Sequence, residues 1–169
     1  MRPLIAVLAA ALCVPAVSAA IPAPRVGIQS FEQLGQPLPL PYNPNAKAMA
    51  AVDKARARAR AANKLLLVDL GGNWCLDCRI LAGVMERPEL AAWVRRHYEV
   101  VTVDVGRFDK NLDVPARYGI KDRLKGVPSL LVVDPKGDRL LNEGRTAALA
   151  DARSMTPQGL ADYLASWAK

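Results

Sequence analysis

Residues Leu65 to Leu81 read LLLVDLGGNWCLDCRIL, and this stretch decides the fold. Its first half, Leu65–Leu70, is a continuous apolar run, as in a strand covered on both faces. Gly71 and Gly72 interrupt the run and let the backbone turn. Trp74-Cys75-Leu76-Asp77-Cys78 then opens a helix. Cysteines three apart share one helical face, close enough for their sulfurs to bond. The first meets the unpaired N–H groups and the positive dipole end of the helix, both of which favour a thiolate. A strand, a turn, a CxxC pair and a helix in that order imply a reactive dithiol, and with it thiol–disulfide exchange.

Around this unit the 169 residues suit one domain with extra segments. The composition is globular, 51% hydrophobic and 23% charged, with a formal charge of +7. Residues 1–20 read as a secretory signal. Arg2 precedes an apolar core at Leu4–Val14, Pro15 breaks it, and the small residues Val17–Ala20 suit cleavage near Ala19-Ala20. The stretch is too short and too broken for a membrane span. Without it, 22 basic and 16 acidic side chains remain, with one short basic run, which does not make a nucleic-acid face. Cys13 leaves with the signal as an ordinary apolar position. The two remaining cysteines make no structural framework.

Residues 21–45 hold six prolines, a density that forbids a regular helix and favours an extended arm. Either it is a spacer or it packs on the domain, with Phe31 and Leu34 as anchors. Asn43-Pro44 reads as the start of a helix running to about Ala62. Its Lys54, Arg56, Arg58 and Arg60 form a solvated face. A second helix starts at Arg87-Pro88-Glu89 and runs to His97, with Leu90, Trp93 and Val94 inward. Tyr98–Val105 is the next strand, parallel to the first through a right-handed crossover. Asn111 caps a short helix ending at Tyr118, and Gly119–Gly126 is a loop. Ser129–Val133 is a third strand, and a turn at Asp134–Gly137 returns Arg139–Asn142 as its hairpin partner. Thr156-Pro157 opens a last helix to about Ala168, with Leu160, Leu164 and Trp167 inward.

The order of elements, Trp74 before the dithiol, Asp69 six residues upstream of Cys75, and Gly126-Val127-Pro128-Ser129 before the third strand together resemble the thioredoxin superfamily. The resemblance spans residues 46–169. The Gly-Gly-Asn before the tryptophan and the exported context are similar to the periplasmic thioredoxin-like proteins, including the C-terminal domain of the membrane electron transporter DsbD. It implies an α/β thioredoxin-like fold, a central mixed sheet flanked by helices, carrying the proline-rich arm. It also implies roles. Cys75 is the exposed attacking thiolate and Cys78 the resolving cysteine. Pro128 is a cis-proline that holds the Val127 backbone ready to pair with an extended substrate segment. Trp74 shapes the substrate side. Asp69 is a buried carboxylate that relays a proton. The redox-active Cys75–Cys78 disulfide serves in place of a separate cofactor. The partners are protein disulfides and a membrane electron transporter of DsbD type.

Three departures stand out. Leu76-Asp77 replaces the Gly-Pro found between the cysteines of thioredoxin itself. Thr102 stands where thioredoxin has a lysine near its buried aspartate. Lys121–Leu124 is an insertion beside the substrate groove. A carboxylate at Asp77 repels a Cys75 thiolate by about 0.6–2.4 kcal/mol at roughly 7 Å and a dielectric of roughly 20–80. That is tens of millivolts towards reducing, with Arg79 offsetting part. The expectation is a periplasmic reductase or isomerase. Its rivals are an oxidase or a cytochrome c maturation reductase using the same chemistry, and a non-catalytic binding module. A zinc site is disfavoured, because His97 at a distant helix end is the one remaining nitrogen ligand.

Overall fold

The computed structural model describes residues 21–168. Residues 1–20, with the expected signal, Cys13 and the expected cleavage site, lie outside them. Strand β1 (Leu65–Gly71) is buried along its whole length, as its apolar run requires. It is central in a four-stranded sheet of order β2-β1-β3-β4. Strand β2 (Tyr98–Asp104) runs parallel to it, with Leu65 opposite Tyr98 and Gly71 opposite Asp104. Strand β3 (Ser129–Asp134) runs antiparallel, and β4 (Arg139–Leu140) pairs with β3.

Alternation along β1 sends Leu65 and Leu67 to one face and Leu66, Val68 and Leu70 to the other. The first face packs on α2 (Leu76–Met85), α3 (Pro88–His97) and α5 (Pro157–Ala165), through Ile80, Leu81, Leu90, Trp93, Leu160 and Leu164. The second packs on α1 (Ala48–Ala61) and α4 (Asp113–Arg117), through Val52, Ala55, Ala59 and Val114. The arginines of α1 face outward as expected; Arg58 pairs with Glu99 at 2.5 Å and Arg56 with Asp138 at 3.0 Å.

The arm packs; it is not a free spacer. Val26, Ile28, Leu34 and Leu38 enter the core under α2, α3 and α5. Leu34 is the buried anchor, whereas Phe31 stays at the rim. A proline-dense chain cannot run a ladder, so side chains of the domain satisfy its backbone. Gln158 accepts from Val26 N, Glu89 from Gly27 N, and Arg79 donates to the Leu38 and Pro39 carbonyls.

Several boundaries differ from the sequence reading. Asn43-Pro44 does not start α1. Asn43 Oδ1 accepts from Asn45 N and its carbonyl from Ala46 N, closing a turn, and the helix begins at Ala48. Asn111 adopts a positive φ of 51° and donates through Nδ2 to the Asp104 carbonyl, so α4 starts at Asp113 without it. The hairpin return stops at Leu140. Asn142 is fully buried, and its side-chain amide replaces the next backbone rung, accepting from Val132 N and donating to Leu130 O. The last helix ends at Ala165, and Trp167 is only partly buried against the core.

Candidate active site

Both cysteines sit where β1 delivers them, at the start of α2. Cys75 is the N-cap, and its sulfur accepts from the backbone N–H of Cys78 at 3.2 Å. Both thiols are free and both are buried, Cys75 at 5% exposure and Cys78 at 0%. The expectation of an exposed Cys75 is thus corrected: Val127 and the α2 backbone cover its sulfur, which lies 3.4 Å from the Val127 carbonyl oxygen. The Val127–Pro128 peptide is cis, as the resemblance implied. The Cys78 thiol donates to Cys75 Sγ, and this bond is the main cause that draws the Cys75 pKa below its ordinary value. The same bond and burial drive the Cys78 pKa well above its own.

A turn opens at Gly72, whose carbonyl accepts from Cys75 N at 3.0 Å, and the two glycines do more than turn the chain. Strand β1 continues through Gly71, and neither Gly71 nor Gly72 has a positive φ. What they supply is room. A Cβ on Gly71 would stand 2.4 Å from the hydroxyl of Tyr42 and 2.9 Å from Cys78 Sγ. A Cβ on Gly72 would stand 2.6 Å from Trp74 Nε1. That indole N–H donates to the Gly106 carbonyl at 2.7 Å. Trp74, 45% exposed, and Leu76, 44% exposed, form an apolar surface beside the dithiol. Phe108 packs edge-on against Trp74, and the guanidinium of Arg107 lies 4.8 Å from its ring centre.

Asp69 is buried at 3% exposure, and burial raises its pKa to about 7. Its carboxylate accepts from Tyr42 Oη at 2.9 Å. Tyr42 comes from the arm, and the sequence reading missed it. Reciprocal bonds between its backbone and the Asn73 side chain hold it, from Tyr42 N to Asn73 Oδ1 at 3.1 Å and from Asn73 Nδ2 to Tyr42 O at 2.8 Å. Thr102, the residue in the place of a lysine, donates to the carbonyl of the preceding Pro41 at 2.9 Å. An isolated tyrosine between prolines gives no periodic signal that it will turn inward.

Asp77 is not a free charge. Arg153, from the segment before α5, donates to it from its backbone N–H at 2.9 Å, from Nε at 3.1 Å and from Nη2 at 2.5 Å. Burial opposes the ionisation of Asp77, but these bonds outweigh it and hold its pKa below the usual carboxylate range. The offset to its repulsion of Cys75 therefore comes from Arg153. Arg79, the residue expected there, is bonded to the arm. The inserted loop, residues 119–125, lines a cavity of about 510 Å³ together with residues 144–148, and its Leu124 is buried in the same cluster as Cys75 and Val127.

With this geometry in view, comparison with known proteins is direct. The thioredoxin-like family matches residues 47–135, and the chain belongs to it. Among solved structures, the disulphide isomerase from Xylella fastidiosa Temecula1 is similar over 76% of this chain and 97% of its own, at 37% identity and a TM-score of 0.69. A protein of unknown function from Pseudomonas aeruginosa is 21% identical over 71% of this chain and 83% of its own, with a TM-score of 0.37. No curated protein matches.

Proposed function

We propose that this protein is a thiol–disulfide oxidoreductase that reduces or isomerises protein disulfides through the Cys75–Cys78 dithiol. The observation that carries the reading is the dithiol itself. Two free thiols cap α2, the outer one has a lowered pKa and the inner one a raised pKa, and a main-chain carbonyl from Val127, before cis-Pro128, faces the outer sulfur. A lowered pKa at Cys75 favours the thiolate, the nucleophilic form. Cys75 attacks a substrate disulfide and forms a mixed disulfide. Cys78 then attacks Cys75 Sγ and releases the substrate thiol, leaving the Cys75–Cys78 disulfide. The substrate segment lies along the Val127 backbone and against Trp74 and Leu76. Asp69 takes up the proton that Cys78 must lose.

The similarity to the Xylella disulphide isomerase favours the reducing or isomerising direction. The signal-like residues 1–20 make the periplasm the site of action, and a membrane transporter of DsbD type the source of electrons. One observation favours the opposite direction, an oxidase. Arg153 offsets the Asp77 charge that pushed the couple towards reducing. Equilibration with glutathione separates the two, because a strongly oxidising potential rules out the reductase. The shared chemistry is tested by Cys75→Ser. This variant is expected to lose all insulin-disulfide reduction driven by dithiothreitol, and full activity in it would overturn the mechanism. A Cys78→Ala variant that traps no partner as a mixed disulfide would instead favour a binding module.

A further inference from the structure

We propose that Tyr42, delivered by the proline-rich arm, carries the proton from the Cys78 thiol to the Asp69 carboxylate. The inference rests on the dithiol-exchange reading above and adds to it a residue that lies outside the family match at residues 47–135.

The geometry is a bridge. Tyr42 Oη donates to Asp69 Oδ1 at 2.9 Å, the one hydrogen bond that the Asp69 carboxylate accepts among the described residues. The same hydroxyl lies beside the Cys78 side chain. Both its oxygen and Cys78 Sγ fill the space over Gly71 that a Cβ would take, at 2.4 and 2.9 Å from that point. The ring is 1% exposed, so bulk water does not compete for the hydroxyl. Three fastenings on the adjoining backbone hold it there: the two bonds with Asn73 and the Thr102 bond to Pro41. Asp69 also lines a crevice of about 380 Å³ between the arm, α2, α3 and β2, with Pro41, Ala82, Val94 and Thr102, through which its proton reaches solvent.

The step balances. In the mixed disulfide, the Cys78 S–H proton passes to Tyr42 Oη as the Tyr42 O–H proton passes to Asp69 Oδ1. Tyr42 is a neutral phenol before and after. The Cys78 sulfur bonds to Cys75 Sγ, and the bond from Cys75 to the substrate sulfur breaks. The substrate sulfur leaves with the electron pair and takes a proton from water. The protein dithiol is oxidised by two electrons and the substrate disulfide is reduced by two. Burial raises the Tyr42 pKa far above that of an ordinary phenol, which suits a conduit and not a base. The Asp69 pKa, about 7, suits an acceptor at neutral pH.

The test is rapid mixing of the reduced full-length chain with a disulfide-bonded peptide, with acid quenching to follow the mixed disulfide. In Tyr42→Phe, formation of the mixed disulfide is expected within about twofold of wild type, and its decay about tenfold slower, as for loss of a proton-transfer group. The decay should lose its dependence on a group near pH 7. The double variant Tyr42→Phe/Asp69→Asn should be no slower than Asp69→Asn alone, because one relay is broken once. Wild-type decay in Tyr42→Phe, an equal slowing of both phases, or multiplying effects in the double variant would overturn the proposal. Should Tyr42→Phe not fold, the decay rate of the wild-type chain in mixtures of light and heavy water decides. Two protons moving together curve the plot, and a straight line overturns the relay. If the wild-type chain forms no mixed disulfide at all, it is the dithiol-exchange reading that fails.

Discussion

Two aspartates flank the dithiol, and they are in opposite electrostatic states. Asp69 and Asp77 both expose little surface, at 3% and 4%. Yet the pKa of Asp69 is raised to about 7, while that of Asp77 is lowered. The difference lies in depth, with Asp69 in the core and Asp77 near the surface beside a half-exposed Arg153, and in what each is bonded to. Asp69 has one neutral phenol, which only partly offsets the desolvation of a negative charge. Asp77 has a guanidinium in a fork-like arrangement and a backbone N–H, which stabilise the charge beyond what burial takes away. Depth and partner together decide whether a carboxylate near a reactive thiol stores a proton or fixes a charge. Here the inner acid beneath Cys78 is equipped to exchange protons, and the outer acid beside Cys75 is pinned.

The largest expected effect breaks the comparison on the Asp69 side. Its pKa is about 7 in the folded chain and near 3.8 when unfolded, so the native state holds the proton more tightly. Stability is then complete below about pH 4, falls as pH rises to about 7, and is flat above. The loss is about 4 kcal/mol from three pKa units. Asp69→Asn should remove it, leaving a variant more stable than wild type at pH 8 and equal at pH 4. Urea unfolding of the reduced proteins at pH 4, 6 and 8 measures this, and parallel profiles would show that Asp69 titrates normally. Next in size, Gly71→Ala forces a methyl into the space of Tyr42 and Cys78. It should destabilise the chain by about 1–3 kcal/mol and raise the Asp69 pKa further, read by infrared titration of the carboxyl group.

On the Asp77 side the expected effects are smaller and have opposite signs. Arg153→Ala uncovers the carboxylate, raises the Cys75 pKa and moves the couple towards reducing. Asp77→Asn leaves the guanidinium unopposed and moves both the other way. Thiolate absorbance against pH and glutathione equilibria check the pair, and shifts of the same sign would show that Arg153 does not set the charge at Asp77. The smallest effect is Thr102→Val, which removes one bond to the Pro41 carbonyl. It should cost about 1 kcal/mol and increase hydrogen exchange at Tyr42 without changing the Cys75 pKa.

Much of this frame was legible from local pattern. A short apolar run ended by two glycines fits a central strand. Pro88 and Pro157 each open a helix where expected, and WCxxC followed by Gly-Val-Pro-Ser located both halves of the dithiol site. The misread boundaries share one cause. Asn43, Asn111 and Asn142 each carry a short amide that can substitute for a backbone group, and which group it replaces depends on what lies opposite. The turn expected at the two glycines is present after Gly72, but nothing in the sequence signalled that the fold also uses their missing side chains.

The sequence by itself determined the sheet and the dithiol at a helix start, because each depends on residues close along the chain or on hydrophobic period; the cis-proline and the buried acid followed from the resemblance of its motifs to a known family. Only the tertiary structure decided the state of those groups. Tyr42 lies 27 residues from the acid it touches, and Arg153 lies 76 residues from its own. A proton's affinity for a carboxylate or a thiol is set by the few ångströms around it, and which side chains fill that space is known only once the arm and the C-terminal segment have folded back onto the sheet.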